Sequence, residues 1–128
     1  MRLVSHNLIS SGFLKGVKEG YPLALIVSHK VVLDEETKRY DPSFVRSIMP
    51  RLEYGALKGA ATACGEAEGL PDQLPEDWKE NDDLLRKLHR ILVEIDVVTG
   101  TLTCPESGRV FEIRDGIPNM LANEDEVA

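Results

Sequence analysis

Apolar positions along this chain follow two patterns, helical through the middle and alternating towards both ends. Leu84, Leu85, Leu88, Ile91 and Leu92 recur at the spacing of a helix with one buried face. Asn81, Asp82 and Asp83 precede them, placing a side-chain cap and two acids at the positive end of that helix. A second helical stripe begins at Asp41–Pro42, with aspartate at the cap and proline in the first turn, and puts Phe44, Val45, Ile48 and Met49 on one face. Pro50 interrupts it, so a kink or a new helix follows. Leu52, Ala56, Leu57, Ala60, Ala61 and Cys64 then continue a stripe of mostly small residues. Residues 65–81 hold two glycines and two prolines without a period and read as a loop whose large anchor is Trp78.

The ends read differently. Residues 23–33, LALIVSHKVVL, are rich in β-branched side chains and predict a strand bent near Ser28, His29 and Lys30. Residues 93–98 alternate and predict another, although the preceding helix could run into them, with a turn at Thr99–Gly100. Residues 101–103 and 110–113 flank the polar turn Pro105, Glu106, Ser107 and Gly108, which is the pattern of a β-hairpin. A second turn, Arg114–Asp115–Gly116, with Gly116 expected at positive φ, leads into IPNML at 117–121. Proline cannot donate to a ladder, so this last run belongs on a sheet edge. Ile117, Met120 and Leu121 pointing outward from an edge invite aggregation unless something covers them. The segment is therefore the expected docking site, through strand addition.

Smaller features complete the outline. A helical turn is expected at 6–10 with Ser5 as its cap, a charged loop at 15–20, exposed polar chain at 34–39 and a disordered acidic tail at 124–126. Strands near 23–33 must pair with those of 93–121, because unpaired backbone groups are costly. The expected fold is α+β: a small, mostly antiparallel sheet built from N- and C-terminal segments, with a central helical lobe inserted. Its division is 1–33 with 93–128 for the sheet domain and 34–92 for the helical domain.

Composition narrows the possible functions. At 128 residues, with 42% hydrophobic and 29% charged side chains, the chain is long enough to bury a core. No run reaches the ~20 apolar residues of a membrane span. His6, Asn7, Ser10 and Ser11 break up any secretory hydrophobic region. A cytoplasmic and nuclear location is expected. The net charge of −7 opposes independent binding of nucleic acid, and the densest basic group, Arg86, Lys87 and Arg90, is interspersed with Asp82, Asp83 and Glu94. Cys64 and Cys104 are expected as free, buried thiols. His6, His29 and His89 are scattered, and neither GxSxG nor a glycine-rich phosphate loop is present.

MRLVSHNL at the start, YDPSF and RLEY in the middle, and CPESGRVFEIRDGIPNML at the end together resemble the eukaryotic Trm112 family. That resemblance runs along nearly the whole chain and is weakest over residues 60–79. It implies a non-catalytic activating subunit of several class I, S-adenosylmethionine-dependent methyltransferases that act on tRNA, small-subunit ribosomal RNA and translation termination factor. It also implies mutually exclusive heterodimers, with neither nucleic acid nor membrane bound directly. The partner-binding residues expected on this basis are Asn7, Leu8, Phe44, Gly116, Ile117, Pro118, Asn119, Met120 and Leu121. Many family members hold a structural zinc between two cysteine pairs. Here those positions fall at Ser11, Gly16, Cys104 and Ser107, and with Cys104 alone retained no zinc or other cofactor is expected. The alternative reading is a stand-alone ribosome-assembly or RNA-binding module without catalysis.

Overall fold

A computed structural model describes residues 1–33 and 39–127. Its sheet has four antiparallel strands in sequence order: β1 (Ala24–Val32), β2 (Ile95–Thr103), β3 (Val110–Arg114) and β4 (Ile117–Pro118). The helices are α1 (Leu3–Leu8), α2 (Pro42–Ile48), α3 (Tyr54–Ala63) and α4 (Asp82–His89). The α+β expectation holds. Inward-facing Leu102, Phe111 and Ile113 of the sheet join Leu57, Leu85, Leu88 and Leu92 of the helical segments in one hydrophobic core.

Local chemistry places α2 and α4 where expected. The Asp41 carboxylate accepts from Phe44 N at 3.2 Å, and Asn81 Oδ1 accepts from Leu84 N at 3.2 Å. Pro50 lies in a short 3-10 turn, Met49–Arg51, after which α3 starts as a separate helix. Loop 64–81 has more anchors than Trp78. Leu70 and Leu74 also pack on the core, and Tyr54 Oη donates to Pro71 O at 2.5 Å.

Four expectations are corrected. The first helix begins at Leu3 rather than near His6, and Ser5 lies inside it. Its start is fixed by tertiary pairing: Val97 N donates to Met1 O at 2.8 Å, and the Met1 amine donates to Asp96 Oδ1, Val97 O and Gly116 O. The second correction concerns residues 93 and 94, which belong to a π-helical turn, Arg90–Glu94, extending α4. This widened turn joins residues five apart, and buried His89 Nδ1 lies 2.8 Å from Glu94 Oε2. Third, Thr99 and Gly100 are not a turn but part of β2. A Cβ on Gly100 would stand 2.2 Å from Ile26 O, so the glycine permits a close approach of β1. The approach coincides with register shifts between Val27, His29 and Lys30, at the expected bend in β1. Fourth, the acidic tail is ordered. Glu124–Glu126 is a 3-10 turn capped by Asn123 and tied down by Arg109 Nε to Glu126 Oε2 at 3.3 Å. Arg39 is exposed, whereas the expected exposure of 34–38 lies outside the described residues.

Candidate docking surface

The edge of the sheet is shaped by a two-residue turn. Asp115 and Gly116 have φ of 52° and 76°, the left-handed pair that reverses a tight hairpin. Arg114 then faces Ile117, and Ile113 faces Pro118. Gly116 is fixed a second time by contact: its N–H donates to Val98 O at 2.9 Å, and a Cβ there would crowd Asp96 and the Met1 amine, both at 3.3 Å. The expected positive φ at Gly116 holds.

Regular pairing ends at Pro118, and one further bond, Asn119 N to Glu112 O at 2.8 Å, carries the ladder inward. In an antiparallel pair, inward-bonded and outward-facing residues alternate. Pro118 therefore takes the outward position, where it has a carbonyl but no N–H. The expectation of a free row of donors and acceptors is corrected accordingly: the edge offers the Pro118 carbonyl and the backbone of Met120.

Side chains contribute more than backbone. Ile117 is 68% exposed and Leu121 78%. Met120 does not point outward as expected; it packs on the core together with Ala122. Directly paired residues share a face of the sheet. Ile117 opposite Arg114 thus lies on the face that carries Val110, and Ile26, Thr101 and Glu112 cross the same face in register. Ile26 and Val110 are both exposed, and sequence reading missed them. The signal was present: with Leu25 and Val27 facing the core, alternation sends Ile26 outward.

The remaining candidates scatter. Leu8, 60% exposed, ends α1. Asn7 is buried and its amide is used internally, with Nδ2 donating to Glu53 O at 2.9 Å and Oδ1 accepting from Glu53 N and Tyr21 Oη at 3.0 Å. It clamps α1 to the start of α3 and has no place in an exposed patch. Phe44 is half-buried on α2, whose main neighbour is α4.

Beside this edge lies the hairpin turn that carries two of the four positions to which the resemblance assigns zinc, Cys104 and Ser107. Cys104 is buried, and its Sγ accepts from Ser107 N at 3.4 Å. Burial pushes the thiol up, but bonds from the Ser107 and Ser11 hydroxyls and from the backbone at Ser107 and Glu106 outweigh it and bring the pKa to about 7. The buried Ser11 hydroxyl has Gly20 O, at 3.3 Å, as its alternative acceptor. One thiol, two hydroxyls and a glycine do not make a zinc donor set. Among the described residues no three of His, Cys, Asp and Glu converge on a common point. The turn is joined to the N-terminal loop by Glu106, whose carboxylate accepts from Lys18 N and Glu19 N at 3.0 Å and Gly20 N at 2.7 Å. These bonds hold the Glu106 carboxyl below its ordinary range. Cys64 is free and buried, as Cys104 is.

Two members of the basic group, Arg86 on α4 and Arg90 in its π-helical extension, are engaged with acids and a ring. Arg86 Nε lies 3.0 Å from Asp82 Oδ2 and its guanidinium stacks over Tyr40, while Arg90 reaches Glu66 at 3.4 Å.

Three comparisons bear on this surface. The family model described as Trm112p-like protein matches residues 5–116. A Caenorhabditis elegans "Multifunctional methyltransferase subunit TRM112-like protein" is 48% identical over 122 residues, covering 94% of this chain and 95% of that protein. A Mus musculus protein with the same description is 42% identical over 127 residues, covering 98% of each. Among solved structures, a chain in the E. cuniculi Mtq2-Trm112 complex, described as responsible for methylation of the eRF1 translation termination factor, matches with a TM-score of 0.57. At 20% identity, covering 94% of this chain and 95% of that one, it shares the fold.

Proposed function

This chain belongs to the Trm112p-like protein family, and from that membership we propose that it is a non-catalytic activating subunit of several class I methyltransferases. The clients in this reading modify tRNA, small-subunit ribosomal RNA and translation termination factor, an Mtq2-type enzyme among them. The observation that carries the proposal is the exposed apolar strip of Ile117 and Leu121, continued by Val110 and Ile26 on the outer sheet face. A catalytic subunit's S-adenosylmethionine cradle is normally built in a larger, doubly wound sheet. The four strands here pair antiparallel throughout, with α2, α3 and α4 inserted between β1 and β2, and they form none of the parallel strand–helix–strand units from which such a sheet is built.

Docking places a client's apolar surface on the strip and a client strand beside Pro118 and Met120. Covering that surface raises the folded, soluble population of the enzyme by mass action. One strip serves one client at a time, so heterodimers exclude one another. The stand-alone RNA-binding alternative is disfavoured by the net charge of −7 and by the acidic partners of Arg86 and Arg90.

Co-expression tests the proposal. An Mtq2-type catalytic subunit from the same genome should be soluble and active with the wild-type chain, and insoluble or inactive with Ile117→Asp. A variant that rescues the enzyme as well as wild type would move the docking site elsewhere.

A further inference from the structure

We propose that Arg109 and Asn119 are positioning residues for docking: together they fix the backbone of Leu121, so that its side chain meets the methyltransferase subunit as a preformed apolar anchor. This deepens the docking function proposed above and rests on it.

Leu121 lies beyond the sheet, where regular pairing has ended at Pro118. Chain of that kind lacks the ladder bonds that hold a strand in place. Leu121 nevertheless has both backbone groups bonded, each to a side chain. Its N–H donates to Asn119 Oδ1 at 3.3 Å, and its carbonyl accepts from Arg109 Nη2 at 3.5 Å. On either side Met120 and Ala122 pack on the core, which turns the leucine between them outward.

The two holders are themselves held. Asn119 N donates to Glu112 O of β3 at 2.8 Å. The Arg109 guanidinium stacks over Phe111 at 4.9 Å, while Nη1 donates to Val110 O at 2.5 Å and Nε to Glu126 Oε2 at 3.3 Å. Glu126 is tied down in turn, its carbonyl accepting from Lys15 N at 2.6 Å. Leu121 O is thus reached by one arm of a planar fork whose other arms are already engaged.

What this scaffolding holds up is a leucine that is 78% exposed, so burial in the lone chain does not account for it. A partner would use it. Ordering a mobile segment on binding costs conformational entropy, and an anchor already in place avoids that cost. Because its N–H is taken, Leu121 cannot donate to a client strand. What it offers is its side chain, and the partner feature that suits it is an apolar pocket.

Calorimetric titration of the Mtq2-type subunit with the full chain tests this, in cycles built around Leu121→Ala. That variant should weaken the complex about twentyfold. Asn119→Ala and Arg109→Lys should each weaken it about fourfold, the first by losing the acceptor and the second by keeping a cation beside Glu126 without the fork. In the Leu121→Ala background neither should weaken it further, because the backbone they hold no longer carries the anchor. A role in folding alone would leave the losses additive. Asn119→Asp retains the acceptor and should bind within about twofold of wild type. In the lone chain, the order parameters of the Leu121 methyl groups should fall in Asn119→Ala and Arg109→Lys.

Asn119→Ala and Arg109→Lys chains that bind with wild-type affinity, losses that add to that of Leu121→Ala, or unchanged methyl order would each overturn the proposal. Should that happen while Ile117→Asp still abolishes binding, the docking function stands and only the positioning role falls. If wild type forms no complex, both fail.

Discussion

The hairpin turn at 104–109 leads into β3 and the segment at 117–121 runs back along it, and the two treat their surfaces in opposite ways. The turn is polar, and its polar groups are spent inside the chain. Glu106 accepts three consecutive backbone N–H groups, Cys104 N donates to Arg109 O at 2.8 Å, and Arg109 binds Glu126. The segment is apolar, yet Ile117 and Leu121 stay in solvent, while Pro118 removes the N–H that would invite another chain's ladder. Dense polar chemistry here means structure. The surface left over for a partner is the greasy one, and the proline keeps it from pairing indiscriminately.

That contrast can be broken from either side. Beneath the turn, Phe111 is buried, with Arg109 stacked on its ring at 4.9 Å and Phe13 at 6.0 Å. Phe111→Ala should cost about 3–5 kcal/mol of folding stability in denaturant titration. Ile117→Asp should do the reverse, changing stability of the lone chain by about 0.5 kcal/mol or less while removing about 2–4 kcal/mol of binding to the catalytic subunit. A strip variant that unfolds the chain, or a turn variant that leaves folding intact, would erase the distinction.

A smaller effect comes from Glu106. Its folded pKa is depressed by the bonds from Gly20, Lys18 and Glu19, so its contribution is present above the ordinary glutamate value of 4.5 and is lost as pH falls through the lower folded value. Glu106→Gln should lower Tm at neutral pH. The gap to wild type should close in acid, and a gap that widened there would contradict the assignment. The smallest effect is none at all. Because the turn is held by hydrogen bonds and packing and its donor set is wrong for zinc, a chelator should leave Tm unchanged, and metal analysis should return no stoichiometric zinc. A chelator-induced fall in Tm would restore the metal.

Much of this was legible from neighbouring residues. Asp115–Gly116 announced its turn, Asp41–Pro42 and Asn81 announced their helices, and the runs at 101–103 and 110–113 announced the hairpin. What was not legible depends on partners far along the chain. Gly100 reads locally as a turn, and only the approach of Ile26 explains it within a strand. Ser5 reads as a cap, but α1 starts where Met1 and Arg2 pair with Val97 and Asp96. The Glu106 anchor spans from residue 106 back to residues 18–20, a separation no local window covers. At the candidate docking surface Ile117 and Leu121 were visible and Ile26 and Val110 were missed, whereas Asn7 has the look of surface chemistry and is a buried clamp.

Backbone hydrogen exchange, compared between the lone chain and its complex with an Mtq2-type catalytic subunit, tests the central claim most directly. The amide of Met120 should gain strong protection on binding, while those of Leu121, Cys104 and Gly108, already bonded within the chain, should change little. A complex that forms with wild-type affinity and leaves the exchange of Met120 unaltered would contradict the account.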